Sequence, residues 1–471
     1  MAFNSLTFFL FCLAVYPLYW ALRRRGQNKL LLAASFFFYG FWDWRFLGLL
    51  ILTIVMDAAC AVQIAGSVSA GRRRFFLALS LTTHLVILGF FKYFHFFQTS
   101  LIQLLEILGL QADPVTFQVI LPVGISFYTF QSMSYVIDVY RGAVRPAANP
   151  WDYALYVSFF PQLVAGPIER SQRLLPQFEA PRTITRHRLA EGAWLVLWGL
   201  YKKTYVADGL AALVRPVFDG PGTASGGDIL IALYAFAFQI YGDFSGYSDM
   251  ARGLAKLLGF ELSINFGMPY RVTSLRQFWR HWHVSLSEWM RDYVYIPLGG
   301  SRGGEWQTYR NLLLTMLAAG LWHGAGWTFV CWGFYHGILL VLEHAWQQHR
   351  GRRTDPNHPR SIWVRAALQL LIFHLVCLGW IFFRAGSMTQ CGQLLDTLFF
   401  HFSPPSAAAL LSFFASIWFL GVIAWTAPPF EGGLIVFRWP WWIRGIVYFM
   451  VFYSIVIWGA ADGHPFIYFQ F

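Results

Sequence analysis

Charge is what this chain has least of. Only 12% of its 471 residues are Asp, Glu, Lys or Arg, about half the share with which a soluble domain wets its surface. That shortage excludes a single soluble globule, and the high apolar content excludes a disordered chain. Cysteine is scarce as well. Cys12, Cys60, Cys331, Cys377 and Cys391 are scattered, form no CxxC pair and have mostly apolar neighbours. They make neither a disulfide framework nor a zinc site, and read as small hydrophobes. The chain has no internal repeat, no low-complexity stretch and no loop long enough to be a soluble domain.

What is abundant is apolar surface. Hydrophobic residues make up 57% and aromatics 19%, and the mean hydropathy is +0.48. The 47 Phe, 22 Trp and 22 Tyr suit lipid-facing helices and interfacial belts. An all-α polytopic membrane protein follows, folded as a single domain over residues 1–471. Its net charge of +12 sits in short loops between apolar runs, which is the positive-inside bias. With no compact basic domain, nucleic acid is not an expected partner. The lipid bilayer is.

Spans need about 20 largely apolar residues. The candidates are 5–22, 28–42, 46–66, 75–97, 119–140, 151–167, 189–214, 228–246, 309–321, 327–346, 362–383, 407–427 and 443–460. Several are short or cut by Pro and Gly, so roughly eleven to thirteen spanning and re-entrant segments are expected. The run Phe8 to Trp20 has no basic residues before it and no small-residue cleavage site after it, which predicts a retained helix. Arg23, Arg24, Arg25 and Lys29, then Arg72, Arg73 and Arg74, mark loops on the cytoplasmic side. Arg170 to Arg188 and the cluster Arg350, Arg352, Arg353 and Arg360 mark two more. That count puts both termini in the periplasm or cell exterior.

Ionisable groups inside apolar segments are costly, so each is a functional candidate. They concentrate between Gln239 and His336. Asp243, Ser245 and Asp249 place carboxylates and a hydroxyl where a helix should cross the bilayer, either as an interhelical network or at a site. In the run Phe278 to Tyr293, helical spacing predicts His283, Ser287 and Arg291 on one face with Trp279 and Arg280. A basic, Trp-rich helix of this kind also suits a membrane interface. His281 and His283 point apart at i and i+2, so no metal site is expected. Trp322-His323-Gly324, with His336 downstream, sets an imidazole in a Gly-flanked apolar run. Neutral imidazole suits general-base work, or it is merely hydrogen-bonded in the bundle. Arg280 and Arg291 suit the phosphates of an anionic donor, unless they only mark topology.

These blocks resemble the membrane-bound O-acyltransferases, and most of all their bacterial subgroup that acetylates alginate and cellulose. The resemblance rests on Leu121 to Tyr128, Ala165 to Ile168, Tyr241 to Asp249 and Phe278 to His283. It extends through Arg291 to Ile296, Gly299 to Gly304, Gly320 to Gly324, Gly379 to Arg384 and the last residues. It implies a ring of helices around a central tunnel, with His323 catalytic and His283 a second important histidine. Trp322, His336, Ser287 and the Asp243–Asp249 cluster are then candidates for the tunnel lining. It implies no bound cofactor, but acetyl-CoA or another acyl thioester as donor, entering from the cytoplasm past Arg280 and Arg291. It implies a multi-pass protein of the bacterial inner membrane, passing acetyl outward to periplasmic acetyltransferase partners for O-acetylation of an exopolysaccharide. The tail resembles that of a small companion peptide in the related D-alanylation system, which makes Tyr468 a candidate covalent acyl carrier. An interfacial anchor explains the same aromatic tail. Two rival readings stay open: a D-alanyl or other transferase of a cell-wall polymer, and a transporter or channel lined by Asp243 and Asp249.

Overall fold

The computed structural model describes the whole chain except residues 2, 114–116, 118, 165, 221, 223, 350–360, 460–465 and 468–471. Every regular element among the described residues is helical, as the apolar runs predict. Six helices are long and apolar enough to cross a membrane: Trp44–Gly66, Ala70–Ile107, Gly226–Leu257, Ile362–Arg384, Ala407–Thr426 and Trp441–Trp458. Leu6–Ala21 is a shorter apolar helix. The protein is therefore a multi-pass membrane protein.

The expected spans over 28–42, 309–321 and 327–346 form the continuous helices Arg24–Gly40, Glu305–His323 and Trp327–His349, while three others start late or are interrupted, each for a local reason. The helix expected from residue 119 starts only at Ile125, because Gly124 before it is left-handed (φ 74°). The span expected over 151–167 divides into Pro150–Ser158 and Phe160–Leu163, with Pro161 in the first turn of the second piece. The one expected over 189–214 runs as Arg186–Leu200, a π-helical stretch Tyr201–Ala207, and Asp208–Phe218. The continuous helix expected through 278–293 does not form. It breaks into Leu275–His281 and Val284–Met290, with His283 left-handed between them at φ 42°. The predicted shared face of His283, Ser287 and Arg291 with Trp279 and Arg280 is lost at that kink.

The chain divides into two compact units. The first, Met1–Gly192 with Ala251–Ser263, holds the Trp44–Gly66 and Ala70–Ile107 helices. Their shared core contains a polar cluster: Ser80 Oγ donates to Asp57 at 2.7 Å, and His84 Nε2 lies 2.7 Å from the other carboxylate oxygen. All three side chains are fully buried. Tyr16 and Tyr19 donate their hydroxyls to the carbonyls of Leu254 and Leu258, each at 2.7 Å.

The second unit is Ala193–Met250 with Ile264–Phe471. At its centre the helices Glu305–His323 and Trp327–His349 pack as a hairpin whose contact is made of glycine. A Cβ on Gly320 would lie 2.3 Å from the Phe329 carbonyl oxygen, and one on Gly333 would lie 2.4 Å from that of Met316. Only glycine lets the backbones come so close. The reverse turn between the two helices fixes where His323, the last residue of the first helix, points.

Candidate active site

Asn265 organises the site. Its Oδ1 accepts the Ser285 N–H at 3.2 Å and the Ser285 hydroxyl at 2.9 Å, and it lies 3.2 Å from His283 Nδ1. Its carbonyl accepts the Val284 N–H at 2.9 Å. These bonds hold the left-handed turn at His283, a conformation that costs a non-glycine residue energy and clusters at functional sites. Because a backbone N–H identifies that Asn265 atom as oxygen, His283 Nδ1 carries the proton and donates. Nε2 is thus the lone-pair nitrogen. Burial pushes the His283 imidazole down to about 3, so it stays neutral across the working range.

His323 and His283 meet, although 40 positions apart in sequence: their rings lie 6.4 Å apart, centre to centre. Trp322 (5.0 Å), Trp332 (4.9 Å) and Phe383 (5.2 Å) surround His323, and both histidines are buried. His336 sits beside Trp332 at 4.9 Å and Trp279 at 5.2 Å. Both of its ring nitrogens, and the indole N–H groups of Trp279, Trp332 and Trp380, are buried with no hydrogen-bond partner among the described residues. Such groups cost stability unless a polar guest satisfies them.

A cavity of about 480 Å³ opens on the same hairpin. Arg276, Arg280 and Arg291 line it together with Trp279, Ser287 and Met316. Ser287 also donates to the Trp282 carbonyl at 3.2 Å, and Arg291 pairs with Asp292 at 2.8 Å. Trp279 borders both this cavity and His336. The structure therefore brings the expected donor-side arginines and the expected histidines to one region of the second unit, linked by indole rings.

Asp243, Ser245 and Asp249 stand on the Gly226–Leu257 helix and face lysines. Lys203 Nζ lies 2.8 Å from both Asp243 and Asp208, and Lys202 Nζ lies 2.7 Å from Asp249 and 2.9 Å from Ser245 Oγ. Sequence reasoning missed Lys202, Lys203 and Asn265. Two adjacent lysines inside the apolar run from Trp194 to Val206 were the available signal. Tyr468 lies outside the described residues; the two residues before it, Phe466 and Ile467, are described and buried.

A multi-pass helical protein with two buried histidines enclosed by aromatic rings, next to an arginine-lined cavity, is built as an intramembrane group-transfer enzyme. Residues 36–382 match the model of MBOAT, the membrane-bound O-acyltransferase family. The chain is 42% identical over 403 residues to the probable alginate O-acetylase of Azotobacter vinelandii, covering 85% of this chain and 78% of that one. It is 36% identical over 409 residues to the peptidoglycan O-acetyltransferase of Helicobacter pylori, covering 80% and 75%. Against the teichoic acid D-alanyltransferase of Streptococcus thermophilus the identity is 26% over 280 residues, covering 55% and 67%. The chain belongs to the membrane-bound O-acyltransferase family. It is an acyltransferase of the membrane.

Proposed function

We propose that the protein moves acetyl groups from a cytoplasmic acyl thioester, acetyl-CoA or another, to hydroxyls of an exopolysaccharide such as alginate or cellulose, with His323 as general base. The observation that carries this is the buried His323 beside His283, Trp322 and Trp332. The similarity to the alginate and peptidoglycan O-acetylases supports acetyl as the group and a polysaccharide as the final acceptor. The whole chain acts as one acyltransferase domain, since the family match crosses both compact units.

The donor enters through the arginine-lined cavity, where Arg280 and Arg291 meet its phosphates. Its polar arm is received by the unsatisfied groups of Trp279, His336 and Trp332. At the centre, His323 takes the proton of an acceptor hydroxyl as the oxygen attacks the thioester carbonyl. Buried indole N–H groups such as that of Trp332 stabilise the oxyanion. The C–S bond then breaks, and the thiolate recovers the proton from the imidazolium. His283, whose Nε2 is an acceptor, orients the attacking hydroxyl. The enzyme sits in a bacterial inner membrane with both termini periplasmic, and periplasmic acetyltransferase partners complete delivery to the polymer. Tyr468 serves as the acyl carrier between them, its phenol being the first acceptor.

The test is acetylation of secreted polymer in cells carrying His323→Ala at equal membrane protein level. Loss of a general base lowers the rate by about 10²–10⁴. Near wild-type acetylation would refute the assignment. In the same cells Tyr468→Phe, which removes only the hydroxyl, abolishes acetylation if the phenol carries the group and leaves it intact if the tail is an anchor. For the donor route, Arg280→Ala and Arg291→Ala raise the donor KM; an unchanged KM in both would leave these arginines a topological role only.

A further inference from the structure

Ile467 is held by a buried carboxylate. Ile467 donates its backbone N–H to Asp243 Oδ2 at 2.7 Å. The other oxygen of Asp243 faces Lys203 Nζ at 2.8 Å, and Lys203 is shared at 2.8 Å with Asp208. The Asp243 carboxylate is buried with them, its charge out of reach of water. A main-chain N–H dipole directed at that charge is a favourable complement. Chain ends normally fray, yet Phe466 is 0% exposed. Its ring lies 4.7 Å from Tyr247 and 5.4 Å from Phe244. Phe244 in turn stands edge-on to His283 at 4.6 Å.

We propose that Lys203 and Asp243 are positioning residues for acyl transfer, which seat the C-terminal segment as a wall of the histidine centre. Lys203 fixes the Asp243 carboxylate, the carboxylate fixes Ile467, and Phe466 then backs Phe244 against His283. Releasing the tail removes the support behind Phe244 and lets the left-handed His283 turn relax away from His323. The π-helical stretch Tyr201–Ala207 carries both lysines, Lys202 paired with Asp249 and Lys203 with Asp243. The proposal takes the two histidines as the reacting centre, and its first readout does not depend on that reading.

The experiment uses the full chain, tagged at the N-terminus and purified in detergent micelles. A carboxypeptidase is added and the intact mass followed, while polymer acetylation is measured in cells with the membrane protein level matched. Wild-type protein is expected to resist trimming before Ile467 is reached. Lys203→Met and Asp243→Ala are expected to lose Ile467 and Phe466 at least ten-fold faster, with acetylation down at least ten-fold. Lys203→Arg, which keeps the charge, restores both readouts. Ile467→Pro removes the donated N–H and leaves the ion cluster untouched; because carboxypeptidases stall at proline, its release is read as faster hydrogen exchange at the Phe466 amide, and it is expected to reproduce the release and the loss should the cluster variants fail to fold. Tail protection unchanged in Ile467→Pro overturns the proposal. So does a freed tail with normal acetylation. A His323→Ala variant that stays active would refute the base assignment and leave the trimming result standing, so the two failures are separable.

Discussion

Adding one methyl group at Gly333 tests whether the close approach of two helices places His323, the proposed base. The new Cβ would stand 2.4 Å from the Met316 carbonyl oxygen and 3.2 Å from the Leu317 Cα. Both atoms are backbone, so no side chain can swing aside. Bringing that contact to about 3.0 Å, near the lower limit for a Cβ, forces the Glu305–His323 and Trp327–His349 helices apart by about 0.6 Å. His323 is the last residue of one, and Trp332 is the neighbour of the substituted position on the other. Overpacking of this kind costs about 1–3 kcal/mol. A misplacement approaching 1 Å at reacting groups lowers turnover by about 100-fold. Gly333→Ala is therefore expected to lower the unfolding temperature in micelles, read by intrinsic Trp fluorescence, and to cut polymer acetylation by about 10–100-fold. Gly392→Ala is the comparison: it lies inside the Met388–Phe400 helix, and a Cβ there meets nothing within 4 Å. It should be neutral, or stabilising by about 0.5–1 kcal/mol. Normal acetylation and normal stability in Gly333→Ala would refute the idea that this contact sets the site.

His283 lies outside the six candidate spans, and its folded pKa of about 3 is below the ordinary value of 6.5. The folded state thus favours the neutral ring; the stability this represents is present above pH 6.5 and is lost as pH falls toward 3, by up to about 1.4 kcal/mol per pH unit. Thermal unfolding at pH 7.5, 6 and 5 should show a shallower dependence in His283→Gln, and an identical dependence would contradict the burial argument. In the first unit, Asp57→Ala strands His84 and Ser80 and should cost about 3–5 kcal/mol. Replacing Asp57, Ser80 and His84 together by Leu, Ala and Leu should recover most of that in a denaturation assay; a triple variant no better than the single one would show that the cluster does more than satisfy itself.

Composition alone determined the class. A chain with 12% charged and 57% hydrophobic residues has too few polar groups to cover itself against water, and in lipid its backbone must close its hydrogen bonds within helices. The histidines, Trp322, the arginines that line the cavity and the Asp243–Asp249 cluster were legible too, because polar groups in apolar runs stand out one at a time. Pairing was not legible. Periodicity carried a helix straight through His283, whereas the turn there is imposed by Asn265, 18 positions upstream. Lys203 lies 40 positions before Asp243, and Ile467 lies 224 positions after it. A helical repeat reports which residues share a face of one element; it holds no information on which distant carboxylate neutralises which lysine. The sequence by itself determined a helical membrane enzyme with a histidine to work with. Which groups surround that histidine, and that Phe466 and Ile467 are drawn in near it, was decided only by tertiary packing, because buried charges and left-handed turns are satisfied by partners that only the fold brings within hydrogen-bond reach.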